Sequence, residues 1–182
     1  MTVSDPVVIV SAARTPIGWF QGDFSTIEAP HLGATAIRAA VARSGLDPAM
    51  VESVFMGCVL SAGLRQNPAR QAAHYGGLPF SVPALSVNKL CGSGMMAMGL
   101  GYDSLLAGST GLVVAGGQES MTNAPYLIKK ARSGYRLGHG EIYDHMFYDG
   151  LEDAYEPGQL MGNFAELTVR QYGFTREQQD NY

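Results

Sequence analysis

The sequence predicts an α/β fold, a mainly parallel or mixed sheet with helices on both faces, followed by a lobe rich in loops. Short apolar runs at residues 7–12, 51–60, 84–87 and 111–115 alternate with segments of helical periodicity. Glycine or proline punctuates most of the junctions. Strands that alternate with helices need crossover connections, and those helices cover both faces of the sheet.

Residues 7–12 are rich in β-branched side chains and end at Arg14, Thr15 and Pro16, which predicts a buried strand leaving into a loop. Leu32, Ala36, Ala40 and Val41 recur at helical spacing in residues 31–44, and Gly45 follows as a C-terminal stop, so this segment is the expected crossover helix. Residues 51–60 predict a second strand, and residues 68–75 a short helix closed by Gly76 and Gly77. Residues 84–87 lead as a strand into a turn at Cys91, residues 94–106 form the next helix, and residues 111–115 a strand closed by Gly116 and Gly117.

After Glu119 the texture changes, and a boundary near Ser120 is expected between an α/β core at 1–120 and a loop lobe that starts in 121–182. Residues 126–137 predict a hairpin turning at Ser133 and Gly134, before a loop of Gly, Tyr, Asp and Glu that runs to Gly162. Asn163 with Glu166 reads as a capping-box-like helix start, with the helix ending at Gly173. Thr175 with Gln178 opens a further helix that has barely begun at Tyr182, so the expectation is a chain truncated relative to a complete fold.

Composition narrows the function. Hydrophobic residues make up 46% and charged residues 15% of the 182, which fits either a large core or an exterior that meets other protein. A net charge of -4 gives no basic footprint for nucleic acid. No apolar stretch reaches membrane-span length and residues 1–5 lack a signal-peptide pattern, so the expectation is a cytoplasmic protein with no membrane partner. The two cysteines, Cys58 and Cys91, have no metal-ligand spacing and fit a reducing compartment. No internal repeat or low-complexity segment occurs, and Gly92, Gly94 and Gly99 miss the dinucleotide-binding spacing.

Residues 86–94 run from a strand through a tight turn into an apolar helix, which places Cys91 at a helix N-terminus. Unpaired N–H groups there favour a thiolate by roughly 0.3–1 kcal/mol and can stabilise an oxyanion on an attacked thioester. Gly92 and Gly94 leave room for a substrate to approach the backbone. Position alone leaves two readings open, a nucleophile and a small buried hydrophobe. Cys58, inside the apolar run 54–60 with no helix start and no charge beside it, reads as buried.

The segment Asn88-Lys89-Leu90-Cys91-Gly92-Ser93-Gly94-Met95 resembles the acylation motif of thiolases. Residues 113–121 (VVAGGQESM), 8–18 (VIVSAARTPIG) and 66–73 (QNPARQAA) are also similar to thiolase segments, in family order, and the match runs from Val7 to Tyr182. The resemblance implies a thiolase-like fold and an acyl-CoA C-acyltransferase. Such an enzyme works by thiolysis of 3-ketoacyl-CoA or, in reverse, by Claisen condensation of acetyl-CoA to acetoacetyl-CoA. Cys91 would be acylated first. Acyl-CoA and coenzyme A are the implied partners, with no bound cofactor and a homodimer or homotetramer as the assembly.

In thiolases a histidine from the carboxyl-terminal half activates this cysteine, and a second cysteine there acts as acid and base. The chain's own histidines, His31, His74, His139 and His145, match no catalytic thiolase position. Leu151 and Met161 match positions that line the pantetheine and acyl pocket, and both also fit ordinary core roles. Leu160 stands where short-chain biosynthetic thiolases carry a histidine, which puts an acetyl-only pocket in question. The basic cluster Lys129, Lys130, Arg132 and Arg136 suits either the phosphates of coenzyme A or a solvated, subunit-contacting loop. Residues 66–73 resemble a segment near the thiolase dimer interface and also read as a routine exposed helix. Two rival functions remain: a catalytically incomplete fragment that binds thiolase subunits, and a coenzyme A-binding module with an unreactive Cys91.

Overall fold

The computed structural model describes residues 7–182, in two compact units that meet at Pro125 and Tyr126. The first unit contains α1 (Ala29–Ser44), a 3-10 turn (Pro48–Met50), β1 (Ser53–Gly57), α2 (Pro68–Tyr75), β2 (Ala84–Val87), α3 (Ser93–Leu106) and β3 (Val113–Gly117). The second contains β4 (Tyr126–Leu127), β5 (Tyr143–Asp144), a π-turn (Phe147–Leu151), α4 (Met161–Tyr172) and α5 (Arg176–Asn181).

In the first unit β1 is central in a parallel sheet of order β2-β1-β3. Side chains alternate across a strand, and the two faces take different helices. Val54 and Met56 of β1 join Ile37 of α1 and Ala69, Ala72 and Ala73 of α2 in the main core, with Val114 of β3 packed against it. The opposite face carries α3: a Cβ on Gly101 would lie 3.1 Å from Val113 Cγ2 and 3.4 Å from Ala115 Cβ, so glycine permits this close approach. The chain therefore goes from β1 to β2 by α2 on one face, and from β2 to β3 by α3 on the other. In open α/β sheets the crevice beyond the carboxyl ends of the strands, at such a switch, is where ligands bind.

Most boundaries follow the expected local signals. α1 starts ahead of the periodic pattern because Pro30 falls in its first turn, where a missing N–H costs nothing. Gly45 closes it in the left-handed region at φ 70°. α2 has the expected bounds, with Asn67 accepting from Arg70 N–H as its cap.

Residues 7–12 differ from expectation: no strand forms there, and Val8, Ile9 and Val10 are 73%, 79% and 57% exposed. A β-branched run becomes a strand only where a sheet edge takes up its N–H and C=O groups, and the sheet order leaves this run outside the pairing. The run at 51–60 contributes only Ser53–Gly57 to the sheet.

In the second unit the expected hairpin at 126–137 is replaced by a wider connection. Tyr126 pairs with Asp144 and Leu127 with Tyr143, antiparallel. Gly134 and Gly138, at φ 77° and 84°, bend the intervening loop in separate places, so no tight turn aligns the residues beside Ser133. α4 begins at Met161 rather than behind Asn163, whose side chain donates to Gln159 Oε1 at 2.8 Å instead of capping. The Thr175–Gln178 capping box of α5 forms with both hydrogen bonds.

Candidate active site

The last residues of the three parallel strands are in register, Gly57 with Val87 and with Gly117. Cys58, Asn88 and Gln118 thus leave the same carboxyl edge of the sheet, and Cys91 follows in the loop after β2. The turn that presents Cys91 is tightly bonded. Leu90 N–H donates to Asn88 Oδ1 at 3.1 Å, Gly92 N–H to Lys89 O at 3.1 Å, and Ser93 N–H to Leu90 O at 2.9 Å. The buried Ser93 hydroxyl accepts from Lys89 N–H at 2.8 Å and donates to Leu90 O at 2.6 Å.

These bonds hold Leu90 at φ 48°, a left-handed conformation that a branched side chain rarely adopts. Strain of this kind costs about 1–3 kcal/mol and persists where the surroundings over-determine it. The turn puts Cys91 at the surface as a free thiol, just ahead of the Gly92 cap of α3. Part of the expected anion site is used up, because the N–H groups of Gly92 and Ser93 serve the turn itself.

The start of α3 seats directly on the end of β1. A Cβ on Gly57 would lie 2.6 Å from Gly94 N and 2.6 Å from the Ser93 carbonyl carbon, both backbone atoms. No side chain fits there.

Cys58 is the opposite case. It is buried, and its Sγ lies 3.6 Å from Glu119 Oε1. Burial, and after it the Glu119 carboxylate, pushes the thiol up to about 12. Glu119 also accepts from Val59 N–H at 2.8 Å and Leu60 N–H at 3.0 Å, tying the loop after β1 to the loop after β3. No local pattern in the sequence marks Glu119 for this role, because the groups it holds lie 59 to 61 residues away. Beside it, a cavity of about 190 Å³ is lined by Arg14, Thr15, Gly33 and Gln118 among others.

In the second unit, Glu152 and Leu160 form an antiparallel bridge. Leu151, the last residue of the π-turn, and Met161, the first of α4, flank that bridge, so the backbone of the expected pocket residues Leu151, Leu160 and Met161 comes together there. Asp153 secures the intervening loop through the N–H groups of Tyr155 at 2.9 Å and Glu156 at 2.8 Å. Within the basic cluster, Lys129 Nζ sits 3.6 Å from the ring centre of Tyr148 and 4.2 Å from that of Tyr143. Lys130, Arg132 and Arg136 are exposed. Residues 66–73 make internal bonds as well: Gln71 Nε2 donates to Leu64 O at 2.6 Å and Gln66 O at 2.8 Å.

His31 and His74 stack on Tyr75 and Phe80 respectively, at centroid distances of 4.6 and 4.1 Å. His145 is buried and meets Asp149, with Nδ1 2.6 Å from Oδ2. Among the described residues no helix is long and apolar enough to cross a membrane.

Comparison with known proteins adds a family. The family model described as "Thiolase, N-terminal domain" matches residues 7–182. An acetyl-CoA acetyltransferase of Cupriavidus necator is 50% identical over 176 residues, and one of Pseudomonas aeruginosa is 49% identical over the same length. A probable acetyl-CoA acyltransferase of Staphylococcus aureus is 47% identical. Each alignment covers 97% of this chain and 44% of the relative, so the chain spans less than half the length of the curated relatives it matches.

Proposed function

Because the chain belongs to the thiolase family, whose N-terminal domain it matches over residues 7–182, we propose that the protein is an acyl-CoA C-acyltransferase with Cys91 as its nucleophile. The observation that carries this reading is the contrast between the cysteines. Cys91 stands free at the surface on a strained turn at the carboxyl edge of the sheet, whereas Cys58 is buried against a carboxylate.

In the first half-reaction the Cys91 sulfur attacks the thioester carbonyl, forming an S–C bond. The C–S bond to coenzyme A then breaks, and the thiol proton leaves with coenzyme A. In the second, the α-carbon of an acetyl-CoA gives up a proton to the base and takes the acyl group from Cys91, releasing the cysteine and a 3-ketoacyl-CoA. Thiolysis runs the other way, with the Cys91 sulfur attacking the 3-keto carbon, the C2–C3 bond breaking as the α-carbon of the departing acetyl-CoA gains a proton, and the coenzyme A sulfur then taking the acyl group. The family resemblance assigns the base to a histidine and the acid–base partner to a cysteine in the carboxyl-terminal half of thiolases. Leu151, Leu160 and Met161 contact the pantetheine and acyl chain, and Leu160 in place of a histidine argues against a pocket that takes acetyl alone. The protein works as a homodimer or homotetramer on soluble coenzyme A thioesters. Residues 1–120 form the α/β core of this enzyme, and 121–182 begin its oligomerisation and substrate lobe.

The test is thiolysis of acetoacetyl-CoA by the complete gene product. Cys91→Ser is expected to keep the fold and lower kcat at least about 100-fold, since the alcohol ionises far less readily than the thiol. A Cys91→Ser protein with unaltered turnover contradicts the proposal.

A further inference from the structure

The second unit holds a buried histidine paired with a solvent-exposed aspartate, a pair that acyl transfer does not use. His145 is 5% exposed and, among the described residues of 126–182, is the one that is buried. Its Nδ1 lies 2.6 Å from Oδ2 of Asp149, a residue within the π-turn Phe147–Leu151. The turn closes with Glu152 N–H donating to Phe147 O at 2.8 Å, a bond five residues wide.

Such turns are rare because the wider ring bonds less well than an α-helical one, and they concentrate at functional positions. One that persists needs something to fix it. Here Asp149 is pinned by His145 from one side, and Tyr148 by the Lys129 ammonium, which donates to its hydroxyl. Directly after Asp149 and Gly150 comes Leu151, which the Glu152–Leu160 bridge sets beside Met161. An α-helical turn in place of the π-turn would drop one residue and rotate the downstream chain by about 100°, taking Leu151 away from Met161.

We propose that the His145–Asp149 pair is a positioning clasp that fixes the π-turn, and through it sets the acyl chain length the enzyme accepts. This rests on the reading that Leu151 and Met161 contact the acyl chain. The imidazole donates from Nδ1 to the carboxylate, and neither residue touches substrate.

The experiment measures kcat and KM for thiolysis of acetoacetyl-CoA and 3-ketooctanoyl-CoA by the complete gene product. Asp149→Ala is expected to change the ratio of kcat/KM for the two substrates by about tenfold, the scale of a misfit methylene in a pocket, with the change carried by KM. Asp149→Asn keeps an acceptor for Nδ1–H and is expected to restore the wild-type ratio. Should Asp149→Ala not fold, Asp149→Glu carries the same comparison, displacing the carboxylate by one methylene. A lower Tm with an unmoved ratio marks a merely structural pair and overturns the clasp, as does failure of Asp149→Asn to rescue. Leu151→Ala separates the clasp from the pocket reading beneath it: a ratio unmoved by Leu151→Ala overturns the acyl-contact reading. A ratio moved by Leu151→Ala and unmoved by the Asp149 variants overturns the clasp alone.

Discussion

At the scale of single residues, the two cysteines differ through what surrounds them. Cys58 sits against Glu119, and burial followed by that carboxylate raises its thiol from 9.0 to about 12. A raised thiol stays protonated through neutral and mildly alkaline pH, so Cys58 is no nucleophile there. The expected result of brief iodoacetamide treatment of the native protein at pH about 8 is therefore modification at Cys91 and none at Cys58, by peptide mass mapping. The same shift carries a stability consequence. The folded protein holds the Cys58 proton more tightly than the unfolded chain, so this contribution is complete below about pH 9 and is lost as pH rises toward about 12. Denaturant midpoints over that interval should fall less for Cys58→Ala than for the wild type. The contrast was legible in the sequence because each cysteine's neighbours announce its surroundings, apolar strand against glycine-flanked turn. Glu119 and His145 were not, for opposite reasons. Glu119 acts on residues 59 to 61 positions away, which no local pattern encodes, whereas His145 bonds only four residues on but across a π-turn that helical periodicity does not describe.

At the scale of elements, the helices were the most legible part because their signals are local. Gly45 behind α1, the Pro68–Tyr75 bounds of α2 and the Thr175–Gln178 box of α5 each appear where the sequence puts them. Strands depend on distant partners, so residues 7–12 carry a strand composition without a strand, and Leu127 passes over the expected turn to pair with Tyr143. The Cys91 element has a steric requirement that is testable by itself. Gly57→Ala puts a Cβ 2.6 Å from backbone atoms of Ser93 and Gly94. Backbone cannot swing aside as a side chain does, so the start of α3 must move, at a cost of about 1–3 kcal/mol. The expected outcome is a folded protein with a lower Tm and slowed acylation of Cys91, read by a stopped assay with acetyl-CoA. Glu119→Gln makes the companion case: it weakens the charge-assisted bonds to Val59 and Leu60 N–H and is expected to cost about 1–3 kcal/mol in urea unfolding.

At the scale of the whole molecule, the main apolar core lies on one side of the sheet, while α3 covers the other side with Ala97 and Gly101 and leaves its own outer face open. Met95 and Met98 of α3 are 76% and 51% exposed, and Leu85 of β2 and Val8, Ile9 and Val10 are also at the surface. Burying a large side chain of this kind is worth roughly 1.5–3 kcal/mol, so exposed apolar side chains in this number favour association. Residues 1–182 expressed alone are therefore expected to self-associate and to lack thiolysis activity, measured by sedimentation and by turnover of acetoacetyl-CoA. A soluble, active monomer would contradict that. The α/β class was legible at this scale because strand and helix composition alternate, and the placement of Cys91 at the sheet's carboxyl edge follows from that alternation with the register of β1, β2 and β3. The central claim is that Cys91 carries the acyl group. It is tested most directly by incubating the complete gene product with acetyl-CoA, quenching in acid and mapping the peptides by mass. The expected result is one acetyl group on the peptide that holds Cys91, absent in Cys91→Ser; an acetyl group on Cys58, or none on either cysteine, would contradict it.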